Sequence, residues 1–346
     1  MQLIKTGLCA YGMSGKVFHA PFLNEHPGFH LYGVVERHRN EAQEKYPYVK
    51  QFRTVSDLLE DPEVDLVIVN TPVQTHFKYT MMALNAGKNV IVEKPFTVDS
   101  AEAITLVEHA EKLGLSLSVY QNRRFDRDFL QVQEVLRSGK LGTIREAEIR
   151  FDRFRTQPSQ KLHKEDASLP GAGALHDLGA HLIDQAVQLF GFPSKVFGDV
   201  FAMKGNSYAN DYFEVILYYP QDLRVRLKSS SFTKESHWAY YLHGERGSFL
   251  QERSDNQEVE LATGSIPHYA LQWQKPIDQP DSILNYDDCR TEMISNPGNY
   301  MNYYQEIYEH LVFGKEIPSQ GREIIDNMRI IDAALQSSHK GEIISL

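Results

Sequence analysis

Lys94, Asp177 and His181 are of residue types that hold or move protons, and each stands in a setting that gives the type a use. Lys94 closes the stretch Val90-Ile91-Val92-Glu93-Lys94-Pro95-Phe96, where a short apolar run reads as a buried strand and breaks off in a carboxylate, an ammonium and a proline. In an open parallel sheet, ligands sit beyond the carboxyl ends of the strands, so a charged pair there is placed for recognition. The plainer alternative is a solvated strand end. Asp177 and His181 lie four residues apart in G-A-G-A-L-H-D-L-G-A-H-L-I-D-Q-A-V-Q-L-F, residues 171 to 190. As a helix from about Ala174, this segment carries Leu178, Leu182, Ile183, Ala186 and Leu189 on one broad face and Asp177, His181, Asp184 and Gln188 on another. A carboxylate one turn from an imidazole raises the imidazole pKa and fixes its orientation, and an imidazole titrating near neutrality is a natural general base. The alternative is the solvated face of an amphipathic helix. His176, Asp177, His181 and Asp184 are also metal-ligand types, but His176 points about 100° away from Asp177 on a helical wheel, and no metal is expected.

Such groups need elements that bring them together, and the first 120 residues supply a sheet. Residues 3 to 10 read as a strand, Tyr11-Gly12-Met13-Ser14-Gly15 as a glycine turn, and the stretch with Val17, Phe18 and Phe22 as a helix. In that context a glycine turn lets the backbone approach a pyrophosphate resting on the helix N-terminus. The first position of the G-x-G-x-x-G pattern is Ala10, which departs from it and concerns the tightness of the turn. Glu36 ends a second strand, residues 29 to 35, in the place from which an acidic side chain reaches the ribose diol of NAD. Its neighbour Arg37 is suited to the 2′-phosphate of NADP. The cofactor is therefore NAD or NADP.

Asp65 to Asn70 is an apolar run stopped by Asn70-Thr71-Pro72, Thr75 to Ala86 a helix closed by Gly87, Ser100 to Leu113 another, and Leu115 to Val119 a further strand. Asn122 follows at the same sheet edge as a cofactor or substrate candidate, with Arg123 and Arg124 suited either to ligand oxygens or to interdomain ion pairs. From Lys195 the apolar period changes to two, clearest in Leu223 to Lys228, which predicts an antiparallel sheet with one face open. Residues 252 to 300 read as long loops, Arg155 to Pro170 as a lid over the site, and Tyr303 to Phe313 and Arg322 to Ser338 as closing helices. The fold class is α/β: an N-terminal doubly wound parallel sheet (residues 1–121) and a C-terminal α/β domain (122–346) with a large, mostly antiparallel open sheet.

The formal charge of −10 argues against nucleic acid and anionic membranes as partners. No run approaches ~18 apolar residues, so no membrane span is expected. Met1 to Lys5 lack the long apolar run of a signal peptide, and two cysteines, Cys9 and Cys289, fit a reducing cytoplasm.

Taken together, the N-terminal glycine turn, T-P-x-x-x-H at Thr71 to His76, E-K-P at Glu93 to Pro95 and G-A-L-H-D-L-G-A-H-L-I-D-Q resemble the glucose–fructose oxidoreductase / inositol dehydrogenase / MocA family. G-M-S-G-K-V-F-H-A-P and S-V-Y-Q-N-R-R-F are similar to its NADP-dependent scyllo-inositol dehydrogenase subgroup. The resemblance spans nearly the whole chain. It implies a Rossmann domain, a C-terminal sheet packing in homodimers or homotetramers, and catalytic roles for Lys94, Asp177 and His181. It further implies NAD or NADP bound by Ala10, Gly12, Met13, Ser14, Gly15, Glu36, Arg37, Thr71, Pro72, His76, Glu93, Lys94 and Asn122. The expected reaction is hydride transfer between nicotinamide and a CH–OH or C=O carbon of a sugar or cyclitol. His181 would be the base, Lys94 would stabilise the developing alkoxide, and Asp177 would orient His181 or hold a neighbouring hydroxyl. The competing readings are a non-catalytic nucleotide-binding regulator and a reductase of a ketosugar or other carbonyl.

Overall fold

The computed structural model describes residues 3–157, 162–205, 208–235 and 237–346. Along the chain, β1 (Ile4–Leu8) leads through a π-helical turn (Gly15–His19) into α1 (Ala20–Glu25). Then come β2 (Phe29–Val35), α2 (Glu41–Lys45), β3 (Lys50–Phe52), α3 (Val55–Glu60), β4 (Leu66–Val69), α4 (His76–Asn85), β5 (Asn89–Val92), α5 (Ser100–Leu113) and β6 (Leu117–Val119). The six strands form one parallel sheet in the order β3-β2-β1-β4-β5-β6, the doubly wound arrangement expected. Leu66 to Val69 and Val90 to Val92 are buried on both faces, as covered parallel strands must be. Helix starts are locally encoded: the Thr54 hydroxyl accepts from the Asp57 amide while the Asp57 carboxylate accepts from that of Thr54, and Asp99 caps α5 through the Glu102 amide.

The second half continues with α6 (Arg127–Arg137), β7 (Ile144–Arg150), α7 (Leu162–Glu165), a π-helical turn (Leu175–Gly179) running into α8 (Ala180–Phe190), β8 (Lys195–Phe201), β9 (Tyr212–Tyr218), β10 (Arg224–Ser230), β11 (Tyr240–Gly244) and β12 (Gly247–Gln251). It closes with α9 (Gln257–Ala262), β13 (Ser282–Tyr286), β14 (Cys289–Met293), α10 (Met301–Phe313), α11 (Gly321–Lys340) and β15 (Ile344–Ser345). Nine strands pair in the order β14-β13-β12-β11-β7-β10-β9-β8-β15, antiparallel throughout except β7 with β10. Phe213, Val215, Leu217, Val225 and Leu227 are buried in a core shared with α8 and α11, while Glu214, Arg226 and Lys228 point to the other, open face. α11 comes close enough to β8 that a Cβ on Gly198 would lie 2.3 Å from the Ala334 carbonyl oxygen.

Residues 252 to 300 are not only loops. They contain α9 and the hairpin β13–β14. The hairpin is hard to read because β14, Cys289-Arg290-Thr291-Glu292-Met293, is an edge strand whose first four side chains are exposed, so no apolar alternation marks it. α10 also packs away from the second sheet: Tyr300, Tyr303, Tyr304 and Tyr308 join Phe22, Phe29 and Tyr120 over one face of the first. The Phe22 and Tyr304 rings stack with centroids 5.3 Å apart.

Candidate active site

The carboxyl ends of β1, β4, β5 and β6 open on a cavity of about 860 Å³ whose far wall comes from α8, β10 and the segments around Arg153 and Lys164. At the β1 end, the Asn70 side chain clamps the turn: the Ala10 amide donates to Asn70 Oδ1 (2.9 Å), and Asn70 Nδ2 donates to the Ala10 carbonyl (2.8 Å). Gly15 packs under this clamp, and a Cβ there would lie 2.6 Å from the Ala10 oxygen, so only glycine fits. Gly12 behaves differently. A Cβ added there meets no protein atom within 4 Å, and the bare backbone faces the cavity, as a cradle for a phosphate group requires. Ala10 is absent from the residues with positive φ, so the alanine at the first fingerprint position costs the turn nothing.

At the β5 end, the Lys94 Nζ donates to the Asp177 carbonyl and to Asp177 Oδ1, both at 2.9 Å. Lys164 Nζ donates to the same Oδ1 at 2.7 Å. The Lys94–Pro95 peptide is cis. Burial and the Lys164 charge push the Lys94 ammonium below its ordinary range, against the pull of Asp177. Burial alone would raise the Asp177 carboxyl, but the two ammonium groups hold it well below the usual carboxylate range.

His181 is buried on the cavity wall, and its Nδ1 has no hydrogen-bond partner among the described residues. The expected Asp177–His181 pairing is not formed, because the Asp177 carboxylate is turned to the lysines. Burial, with the cations Lys94 and Arg123 nearby, lowers the imidazole pKa well below its ordinary value instead of raising it. Of the remaining polar positions of this helix, Asp184 is buried, with Arg124 bonding both its oxygens (2.8 and 2.5 Å) and Asn327 adding a third bond, while Gln188 is exposed and bonds Glu323. His176 is buried with Nε2 3.2 Å from the Val98 carbonyl oxygen, and no cluster of metal-ligand residues exists among the described residues.

Of the positions expected to hold the dinucleotide, Ala10, Gly12, Met13, Ser14, Thr71, Pro72, Glu93, Lys94 and Asn122 line the cavity. Gly15 lies beneath it. Glu93 is occupied from behind, its Oε1 3.1 Å from His19 Nε2 while His19 Nδ1 lies 2.8 Å from the Tyr304 hydroxyl. His76 is off the wall. Its Nε2 stands 2.7 Å from the Thr71 carbonyl and its Nδ1 2.9 Å from that of Pro95, so it fastens the loop after β4 to the loop after β5. Glu36 is buried, is not on the cavity wall, and accepts from the Glu41 and Ala42 amides (3.2 and 3.0 Å) at the start of α2, whereas Arg37 is exposed. Sequence reasoning noted Asn70 only as a strand stop and did not single out Tyr120, Arg153 or Lys164, all of which line the cavity. Asn70 was legible from its place at a strand's carboxyl end, but no periodicity marks Arg153 or Lys164. Residues 158–161 of the lid expected over Arg155 to Pro170 lie outside the described residues.

Comparison with known proteins matches residues 4–121 to the oxidoreductase family with an NAD-binding Rossmann fold, and residues 129–250 to the GFO/IDH/MocA C-terminal domain. The chain belongs to this family and is an NAD(P)-binding oxidoreductase. It is 34% identical to the scyllo-inositol 2-dehydrogenase (NADP(+)) IolW of Bacillus subtilis, covering 100% of this chain and 97% of the relative. It is 35% identical to the oxidoreductase YdgJ of Escherichia coli over 97% of this chain and 96% of that one. A solved structure from Bacteroides fragilis superposes with a TM-score of 0.90 at 40% identity, covering 100% of both chains. No helix among the described residues is long and apolar enough to cross a membrane.

Proposed function

We propose that this chain catalyses reversible hydride transfer between NADP(H) and a carbinol carbon of a sugar or cyclitol. Residues 1–121 hold the dinucleotide, and residues 122–346 hold the substrate and assemble the oligomer. The observation that carries the reading is a single cavity with a bare glycine cradle at one end and Lys94, Asp177 and His181 at the other. The backbone of Gly12, Met13 and Ser14 would hold the pyrophosphate, with Thr71, Pro72 and Asn122 along the wall. When bound, the nicotinamide donates or accepts the hydride.

In the oxidative direction, neutral His181 takes the hydroxyl proton as the carbon loses hydride, and in reduction the imidazolium returns it. Lys94 donates a hydrogen bond to the same oxygen and stabilises its developing charge. Asp177 positions Lys94 rather than His181. The B. subtilis relative is named for a cyclitol, and scyllo-inositol is the first probe of the carbinol chemistry to assay.

The conformation of Glu36 supports NADP. With its carboxylate satisfied by two α2 amides, Glu36 is already partnered, and exposed Arg37 would be available to pair with a 2′-phosphate. The open face of the second sheet supports a homodimer or homotetramer, and two free cysteines, one of them exposed, support a cytoplasmic setting. The test is a fluorescence titration with NADPH and NADH. NADPH is expected to bind more tightly, with the preference lost in Arg37→Ala and kept in Glu36→Ala. Binding of neither nucleotide would defeat the reading.

A further inference from the structure

Most charged side chains on the cavity wall have counter-ions. Lys94 and Lys164 share Asp177, Arg123 pairs with Asp126 and Glu258, and Lys204 lies 3.7 and 4.0 Å from Asp211 and Glu165. Arg153 and Arg155 differ: neither guanidinium hydrogen-bonds or ion-pairs with any described residue, although both line the cavity. Arg153 is half-buried on the stretch that continues β7, its guanidinium 5.2 Å from the Phe151 ring centroid, with that of Arg123 on the same ring at 4.9 Å.

The local balance is short of negative charge. The carboxylates whose fields reach Arg153 are Asp177 and Glu258, and both are committed: Asp177 to two ammonium groups, Glu258 to Arg123 at 2.8 Å. Burial and the neighbouring Arg155 and Arg123 charges accordingly press the Arg153 pKa downward. A guanidinium offers five donors in a planar fork that matches a carboxylate or phosphate, and leaving them partly desolvated without an acceptor is unfavourable. A neutral polyol offers hydroxyls to this end of the cavity but no compensating charge.

We infer that the substrate carries an oxyanion, a carboxylate or a phosphate, and that Arg153, assisted by Arg155, receives it, making the physiological substrate an acidic sugar derivative rather than a neutral one. This rests on the oxidoreductase reading for the carbinol chemistry, but the oxyanion subsite itself is a matter of binding.

Calorimetric titration of the full chain, with and without saturating NADPH, tests it with two matched pairs: D-gluconate against D-glucitol, and D-glucose 6-phosphate against D-glucose. The anionic member of one pair is expected to bind about tenfold or more tightly than its neutral partner, the size of a charge-assisted contact, and the pair that responds identifies the oxyanion. Arg153→Leu, which keeps apolar contact with Phe151, is expected to abolish that preference, Arg153→Lys to keep part of it, and the NADPH affinity of both to stay at the wild-type value. Equal binding or no binding of both members in both pairs, or a preference that survives Arg153→Leu, overturns the inference. So does an Arg153→Leu variant that loses NADPH affinity in place of the anion preference. Because the readout is heat of binding rather than turnover, a wild-type chain that binds no NADPH would count against the dinucleotide-enzyme reading and leave the sugar pairs interpretable.

Discussion

Lys94 and Lys164 donate to one and the same oxygen, Asp177 Oδ1, at 2.9 and 2.7 Å. Two cations on one carboxylate oxygen make Asp177 the fixed point of the site. An ammonium proposed to act in catalysis from a flexible stem needs such an anchor, because four rotatable bonds otherwise spread it over several positions. Removing the carboxylate should act on Lys94 in two ways at once, by freeing its position and by lowering its pKa further. Asp177→Asn is therefore expected to reduce kcat by about 10²-fold or more, in the range seen for lost transition-state donors, with KM for NADPH unchanged. Steady-state kinetics with the cofactor and the polyol varied in turn separates the two parameters.

Lys94→Met removes the donor itself while keeping the length of the side chain. The expected loss in kcat is again about 10²–10³-fold, with the dinucleotide still bound. A variant that turned over at the wild-type rate would show that the alkoxide is stabilised elsewhere.

The depressed pKa of His181 sets the acid limb of the pH profile. With His181 as the proposed base, oxidation requires the neutral imidazole. Since burial and nearby cations hold the group well below 6.5, it remains neutral at pH 7, and the oxidation rate should fall only well below pH 6.5. An unperturbed histidine would already have lost half its activity at that pH. Lys94 sets the opposite limb: its lowered pKa predicts a decline beginning below the 10.5 of an ordinary lysine. His181→Gln should abolish the acid limb and reduce the rate by about 10²–10⁴-fold.

Asn70 holds Ala10 through two hydrogen bonds, each of which contributes roughly 1 kcal/mol net. Asn70→Ala should therefore weaken dinucleotide binding by loosening the turn, with little change in kcat at saturating cofactor. Fluorescence titration reads the first quantity and initial rates the second.

The two cysteines should react very differently with a thiol reagent. Cys289 is exposed, while Cys9 is buried at the end of β1 with its thiol pushed up to about 12 by that burial. The native protein should label at one site rapidly and at the second only on denaturation, as mass spectrometry would show.

In the first sheet β4 and β5 were legible because Leu66 to Val69 and Val90 to Val92 are continuous apolar runs, as parallel strands covered on both faces must be, whereas β1, Ile-Lys-Thr-Gly-Leu, was legible from the glycine turn that follows it. The short elements α2 and β3 carry too few residues to show a period. β13 and β14 escaped because an edge hairpin is defined by its pairing and not by its own hydrophobic pattern. In the site, residue types at strand ends pointed correctly to the cavity for Lys94, Thr71 and Asn122. What the sequence could not supply was the choice among partners. On a helical wheel Asp177 belongs with His181, yet in three dimensions two lysines from outside this helix, Lys94 and Lys164, take its carboxylate. Glu36 likewise sits where a ribose ligand would, but the amides of α2 lie closer in the chain and take it.

The aromatic cover of the first sheet has a consequence for how the chain is made. The rings of Tyr300, Tyr303, Tyr304 and Tyr308 close over Phe22, Phe29 and Tyr120, so one face of the nucleotide-binding half is finished by residues synthesised near the end of the chain. A nascent chain that has completed β6 still carries that apolar face uncovered. A fragment ending at Gln121 would present it to solvent, and to other copies of itself, as a self-association surface that is covered in the 346-residue chain.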